Sequence, residues 1–232
     1  MLEQQVGYKV NTAPTLSPIT PPETTFKKRK DLRVLKLALS NERFREVSLK
    51  FGDGDEGGRE ISESVHRTLR RANTSHVACL HCRTECQVYE NFPIVDGTLF
   101  LTPVPRSPQC VRFMSNEPTT TTTSKAERYL GFVCVSCMEG RKVTCSGCNV
   151  AWNGSFFQVG TMYSYDILSA TPCCARAVSC NKCARPVIDL SKGEAHNLFF
   201  SNFSAKTTCP HCGEEDFHFI KPLSQPRVSQ QS

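Results

Sequence analysis

The run CSGCNVAWNGSFFQVGTMYSYDILSATPCCARAVSCNKC, residues 145–183, decides how this chain folds. It holds two Cys-x-x-Cys pairs, Cys145/Cys148 and Cys180/Cys183, with the adjacent Cys173 and Cys174 between them. Two thiolates three residues apart grip one ion from a tight turn whose amides hydrogen-bond the sulfurs, so each pair supplies half of a tetrahedral site. Working outward, three more pairs appear: Cys79/Cys82, Cys134/Cys137 and Cys209/Cys212. A single pair is a weak signal, shared with redox dithiols. Five pairs, with no thioredoxin-like strand and helix pattern around them, point to about three structural Zn2+ ions.

All fourteen cysteines lie at or beyond Cys79, so the first third of the 232-residue chain has none. Met1 to Val10 is polar and lacks the apolar core of a secretory signal. No window approaches the roughly 18 apolar residues of a membrane span. A reducing compartment is therefore expected, the cytoplasm first and the nucleus second, where thiols hold metal rather than form disulfides.

The formal charge of +6 suggests a nucleic-acid partner until the metal is counted. Twelve thiolates against three divalent ions shift the total by about minus six, which leaves the loaded chain near neutral. Residues 1–78 hold fourteen Lys/Arg against ten Asp/Glu, and residues 79–232 fourteen against twelve. With its sites filled the cysteine-rich part is acidic, so any phosphate contact falls to the N-terminal block Lys27, Lys28, Arg29 and Lys30, followed by Arg33 and Lys36. That block reads as a nuclear-localisation signal, a nucleic-acid contact or a plain solvated charge run. Only Phe26 is near it for base stacking.

The expected organisation is a disordered Pro/Thr-rich basic tail over 1–30, helical segments over 31–78, a zinc-binding module over 79–222 and a disordered tail over 223–232. Ser17-Pro18 and Thr20-Pro21 in the first tail fit proline-directed phosphorylation. Leu35, Leu39, Phe44 and Val47 suit a loose helix ended by GDGDEGG at 52–58, and Ile61, Val65 and Leu69 form the apolar stripe of a second helix over 61–71, suited to docking on the protein's own core. In the module, Asp96-Gly97 and Trp152-Asn153-Gly154-Ser155 suggest hairpins, and 129–135 a strand that delivers a knuckle. Residues 165–170 suit a short helix, and the Thr-rich stretch 115–126 a surface loop. The fold class is a small zinc-stabilised α+β arrangement of four-cysteine knuckles with short hairpins.

Two pairings remain open. Cys209-Pro-His-Cys212-Gly213 can join Cys180/Cys183 as a zinc ribbon. Alternatively, the order from Cys145 resembles a RING cross-brace, in which Cys145/Cys148 share an ion with Cys180/Cys183, and Cys173/Cys174 with Cys209/Cys212. In either case Cys79/Cys82 complete a site with Cys134/Cys137. Cys86 and Cys110 read as small buried apolar residues ahead of spare ligands, His81 and His211 as non-ligands inside knuckles, and for His76 and His218 a ligand role is the minor alternative. Four protein ligands per site leave no open position to activate water, and His-Glu-x-x-His, a Gly-rich phosphate loop and a deaminase signature are all missing from the sequence.

The stretches CVSCMEG at 134–140, CSGC at 145–148, WNGS at 152–155, GTMYSYDI at 160–167, PCC at 172–174, CPHC at 209–212, HFIKP at 218–222 and FPIVDGTLFLTP at 92–103 are together similar to the Headcase family. The resemblance implies a non-enzymatic regulator of growth and differentiation, largely cytoplasmic, acting through protein partners such as the RNA-binding zinc-finger protein Unkempt. The Thr-rich insert and a cysteine-free N-terminal third are departures from the family. An interaction scaffold displaying Phe156, Phe157, Phe199, Phe200 or Phe203 is the leading reading, with Phe199 to Phe203 expected mostly in the core. A RING-like ubiquitin ligase and an RNA- or DNA-binding protein are the competing ones.

Overall fold

The structure is a computed structural model that describes residues 25–50, 56–113, 127–139, 143–194 and 198–222. Ser17, Thr20, the run of threonines at 119–123 and residues 223–232 lie outside the described residues. Helices α1 (Arg33–Ala38), α2 (Asn41–Lys50) and α3 (Glu56–Arg71) lead into strands β1 (His76–Ala78), β2 (Glu85–Gln87), β3 (Gly97–Thr102), β4 (Val111–Phe113) and β5 (Arg128–Cys134). Helix α4 (Val135–Glu139), β6 (Met162–Tyr163), β7 (Thr207–Thr208) and β8 (Glu215–Asp216) follow. No helix of the described residues is long and apolar enough to cross a membrane.

The main sheet runs β4-β5-β3-β6, with β3 antiparallel to β5 and parallel to β6. GTLFLT can occupy the centre because all six residues are buried, as a strand covered on both faces requires. Phe100 lies opposite Gly131, and a Cβ there would come within 2.6 Å of the phenyl ring. That site needs glycine for space rather than for backbone freedom.

The expected Asp96-Gly97 hairpin does not form, because both edges of β3 are taken by β5 and β6. Asp96 instead accepts from Arg29 at 2.7 Å through its side chain and from the Val135 N–H at 3.0 Å through its carbonyl. Nor does a hairpin turn form at Trp152-Asn153-Gly154-Ser155; Trp152 instead donates its N–H to the Val143 carbonyl across the Cys145 knuckle. Its indole is buried and covers Gly154, where a Cβ would meet the ring at 2.5 Å. Over 165–170 the Asp166 carboxylate caps Leu168 and Ser169, producing a tight turn in place of a helix.

The stripe of α3 packs as expected: Val65 and Leu69 are fully buried in one core with Leu35, Phe100 and Phe132. The break between α1 and α2 at Leu39-Ser40 splits the expected single helix, and Arg43 on α2 reaches Glu139 of α4. Residues 25–30, expected within the disordered tail, pack on this body as well. Lys27 bridges Tyr89, and the buried Arg29 lies 4.0 Å over the Tyr89 ring. A second, smaller core of Val178, Phe203 and Phe219 lies further along the chain.

Arg106 links the two regions. It forks onto the fully buried Asp166 at 2.5 and 3.0 Å and donates to the Lys221 carbonyl at 2.7 Å. Removing one member of such a pair leaves an uncompensated buried charge. Asp166→Ala is therefore expected to lower stability by about 3–5 kcal/mol. Denaturant unfolding of the metal-loaded protein measures this, and a loss within experimental error would contradict the role given to the pair.

Candidate metal centres

Four of the five Cys-x-x-Cys pairs sit in the same turn. In each, the first cysteine's N–H donates to the carbonyl five residues on, and the N–H four residues on donates back to that cysteine's carbonyl, as in Cys79 with Thr84 and Arg83. Cys145, Cys180 and Cys209 repeat the pattern with Val150 and Asn149, Arg185 and Ala184, and Glu214 and Gly213. The residue after the second cysteine is left-handed every time: Arg83 at φ 63°, Asn149 at 57°, Ala184 at 59° and Gly213 at 73°. Asn and Gly suit that conformation, whereas Arg and Ala hold it against a steric cost. The turn aims amides at sulfur: Gly147 N–H reaches Cys145 Sγ at 3.3 Å, Lys182 reaches Cys180 at 3.3 Å and His211 reaches Cys209 at 3.4 Å.

The fifth pair is built differently. Cys134 ends β5 and Cys137 lies in α4, so a strand-to-helix junction replaces the knuckle. Residues 173–174 enter a 3₁₀ turn over Ala175–Val178, for which Cys174 is the extended N-cap.

Twelve cysteines gather into three groups: Cys79, Cys82, Cys134 and Cys137; Cys145, Cys148, Cys173 and Cys174; Cys180, Cys183, Cys209 and Cys212. Within each, the sulfurs all lie within 4.8 Å of one another, and each group could hold a metal ion. Four sulfurs about 2.3 Å from a central zinc are about 3.8 Å apart along a tetrahedral edge. Observed separations are 3.5 Å for Cys82 to Cys134, 3.4 Å for Cys148 to Cys173, 3.9 Å for Cys145 to Cys174, and 3.7 Å for both Cys180 to Cys212 and Cys183 to Cys209. Disulfide sulfurs would stand at about 2.05 Å; all fourteen thiols are free. The donor set, spacing and amide contacts fit zinc.

The ribbon alternative is the one adopted, and the groups follow one another along the chain. The cross-brace, which would interleave Cys145/Cys148 with Cys180/Cys183, does not form, because Cys173 and Cys174 already lie against the sulfurs of Cys148 and Cys145. Cys86 and Cys110 stay outside the groups, as expected. Burial pushes the Cys86 thiol up to about 12.

His218 does not take the minor ligand role that the sequence left open. It is fully buried, but four cysteines already complete its group, and it serves as a clamp. Its Nδ1 accepts from the Asn181 N–H at 3.2 Å and its Nε2 donates to the Glu214 carbonyl at 3.0 Å, which fixes the neutral tautomer and ties the two knuckles of the third group together. His211 contacts the Pro186 carbonyl and His76 is exposed, neither among the sulfurs. Lys221 donates to Ser179 at 2.8 Å, bracing the same group from below the Cys180 knuckle. Of the basic block, Lys27, Lys28 and Lys30 are not buried, but Arg29 is not available to a nucleic acid because its guanidinium is spent on Asp96.

Phe157 and Phe203 are buried, whereas Phe199 and Phe200 are 81% and 47% exposed, against the expectation of a core role for that stretch. Phe156 is also exposed and borders a cavity of about 230 Å³. Trp152, Arg176, Phe219 and the second group's Cys145 and Cys173 share its wall. Nothing in the spacing of these residues signals the cavity, since they come from three separated stretches of chain.

At Cys145, burial opposes ionisation, but the N–H groups of Gly147 and Cys148 outweigh it and hold the thiol down to about 7. At Cys180 burial again opposes, and the N–H groups of Cys183 and Lys182 bring it down to about 6. Lowered values favour thiolate in the folded chain, an advantage complete above the ordinary thiol value of about 9 and lost as pH falls through about 7 and 6. Protons then compete with metal for sulfur. Metal retention is expected to drop as pH is lowered past about 6, read with a chromogenic chelator. His218→Ala is expected to weaken metal binding at the third group by about 10–100-fold, read by competition with a chelator of known affinity; equal affinity would remove the clamp from the account.

A family model described as Headcase protein matches residues 20–223. The Headcase protein homolog of Homo sapiens is 35% identical over 206 residues, 88% of this chain and 36% of that protein. The Headcase protein of Drosophila melanogaster is 34% identical over 204 residues, 86% of this chain and 18% of that protein. The chain thus spans well under half the length of these curated relatives. No solved structure matches.

Proposed function

This chain belongs to the Headcase family, and we propose that its three cysteine groups hold structural zinc and build a non-catalytic platform for protein partners in growth or differentiation control. The observation that carries this reading is the set of three four-sulfur groups with tetrahedral-edge spacing. A filled tetrahedron of thiolates offers no position for a substrate or an activated water. Zinc here would fix four knuckles and a strand end in place, and the chain's own residues would present the contact surface. Binding worth about 10–16 kcal/mol per ion rivals the stability of a whole domain, so folding of the cysteine-rich part follows metal. Exposed Phe156, Phe199 and Phe200 are suited to contact with another protein.

The partner proposed on the family likeness is an RNA-binding zinc-finger protein of the Unkempt kind, met in the cytoplasm. RNA then enters through the partner. The ubiquitin-ligase reading loses its footing with the cross-brace, and direct nucleic-acid binding loses Arg29 from its contact set.

Elemental analysis of purified protein is expected to give three zinc ions per chain, with strong chelation unfolding it as read by near-UV circular dichroism. A folded, metal-free chain after chelation would refute the zinc reading. Purified Unkempt-type protein is expected to bind the zinc-loaded chain and not the chelated one; autoubiquitination with E1 and a panel of E2 enzymes would favour the ligase instead.

A further inference from the structure

The three groups differ in how many of their cysteines are buried. Three of the four residues of the first group are buried, Cys79, Cys134 and Cys137, and two of the third, Cys180 and Cys209. Each group has one exposed cysteine, Cys82, Cys173 and Cys212 in turn, but the second alone has no buried member. The cavity of about 230 Å³ also borders this group, with Cys145 and Cys173 among its lining residues.

Amide contacts single out one sulfur rather than the whole group, since Cys145 takes the N–H groups of Gly147 and Cys148. Cys180 holds the N–H groups of both Lys182 and Cys183, and His218 locks its knuckle to the partner knuckle. No N–H reaches the Cys173 sulfur among the described residues. A thiolate without such donors keeps more of its charge and more of its nucleophilicity. Its nearest sulfur neighbour is Cys148 at 3.4 Å, on the opposite arm of the group.

We propose that the second group is an oxidisable zinc site, at which hydrogen peroxide joins Cys148 to Cys173 and releases the ion while the other two groups stay loaded. The inference rests on the zinc reading above. In the first step the Cys173 thiolate attacks one peroxide oxygen; the O–O bond breaks, and the departing hydroxide takes a proton to become water. The sulfur, now a sulfenic acid, has lost two electrons. The Cys148 thiolate then attacks it, an S–S bond forms, the S–O bond breaks, and the second hydroxide leaves as water with another proton. Two thiolates, one peroxide and two protons thus give one disulfide and two waters. Cys145 and Cys174 would then be the two ligands left to hold an ion, too few to retain it. Because Cys145 and Cys173 form part of the cavity wall, losing the ion alters the surface beside Phe156 and Trp152.

The test uses the full zinc-loaded chain with hydrogen peroxide as the only added reagent. Zinc release is followed with a chromogenic chelator, cysteine linkage by alkylation and peptide mass spectrometry, and the cavity by emission of Trp152, the single tryptophan. One equivalent is expected to leave at least about tenfold faster than the other two, with a Cys148–Cys173 linkage and a shift in Trp152 emission, while the cysteines of the other groups still lack disulfides. A reductant and added zinc should restore all three signals. Release of three ions at one rate, or a first linkage inside another group, would overturn the proposal even though the zinc reading stands. Fewer than three ions before peroxide is added would overturn the zinc reading itself. Cadmium-loaded protein gives an independent check: of three ¹¹³Cd resonances, one should vanish first, and simultaneous loss of all three counts against a distinct second site.

Discussion

Four cysteine sulfurs gathered within 4.8 Å of one another would repel as thiolates, and a cation at their centre would offset that repulsion. That requirement governs the rest of the structure. Each knuckle must aim two sulfurs and several amides at one point, which is why four unrelated tetrapeptides adopt one turn and why a left-handed residue follows each. The constraint is strong enough to hold Arg83 and Ala184 in a conformation neither favours.

Metal centres alone do not make the body of this protein. The first group grows out of a conventional core: Cys79 follows β1, Cys134 ends β5, and the same apolar cluster contains Val65 and Leu69 of α3. Here sheet and sulfur site support each other, as Leu80 donates to the Phe132 carbonyl within β5. The third group lies with the smaller core of Val178, Phe203 and Phe219, on which Val187, Ile188, Leu190 and Leu198 pack, and adds polar ties, the His218 clamp and the Lys182 to Glu214 pair at 2.6 Å. A gradient results, from a site embedded in hydrophobic packing to one assembled from hydrogen bonds, with the second group the most open of the three.

Buried charge connects these parts. Arg29 with Asp96 and Arg106 with Asp166 are both largely shielded from solvent, and each joins stretches of chain about 60 or more residues apart. In low dielectric such pairs specify one arrangement more than they add stability. Arg29 is instructive because its neighbours Lys27, Lys28 and Lys30 are not buried; a run of four basic residues thus contains one structural member and three solvated ones.

The sequence by itself determined the twelve cysteines now in the groups, the α+β class, the buried stripe of α3 and the strand that ends at Cys134. Those features follow from spacing and periodicity, which are local. The order of pairing was settled only by tertiary structure, since ribbon and cross-brace use the same cysteines and differ only in which turns meet. The same holds for the Asp96-Gly97 hairpin, overridden when β3 found partners on both edges, and for His218, whose two backbone contacts come from knuckles far apart in sequence. Exposure of Phe199 against burial of Phe203 is likewise a property of the assembled core, because which of two nearby aromatics faces inward depends on what stands opposite.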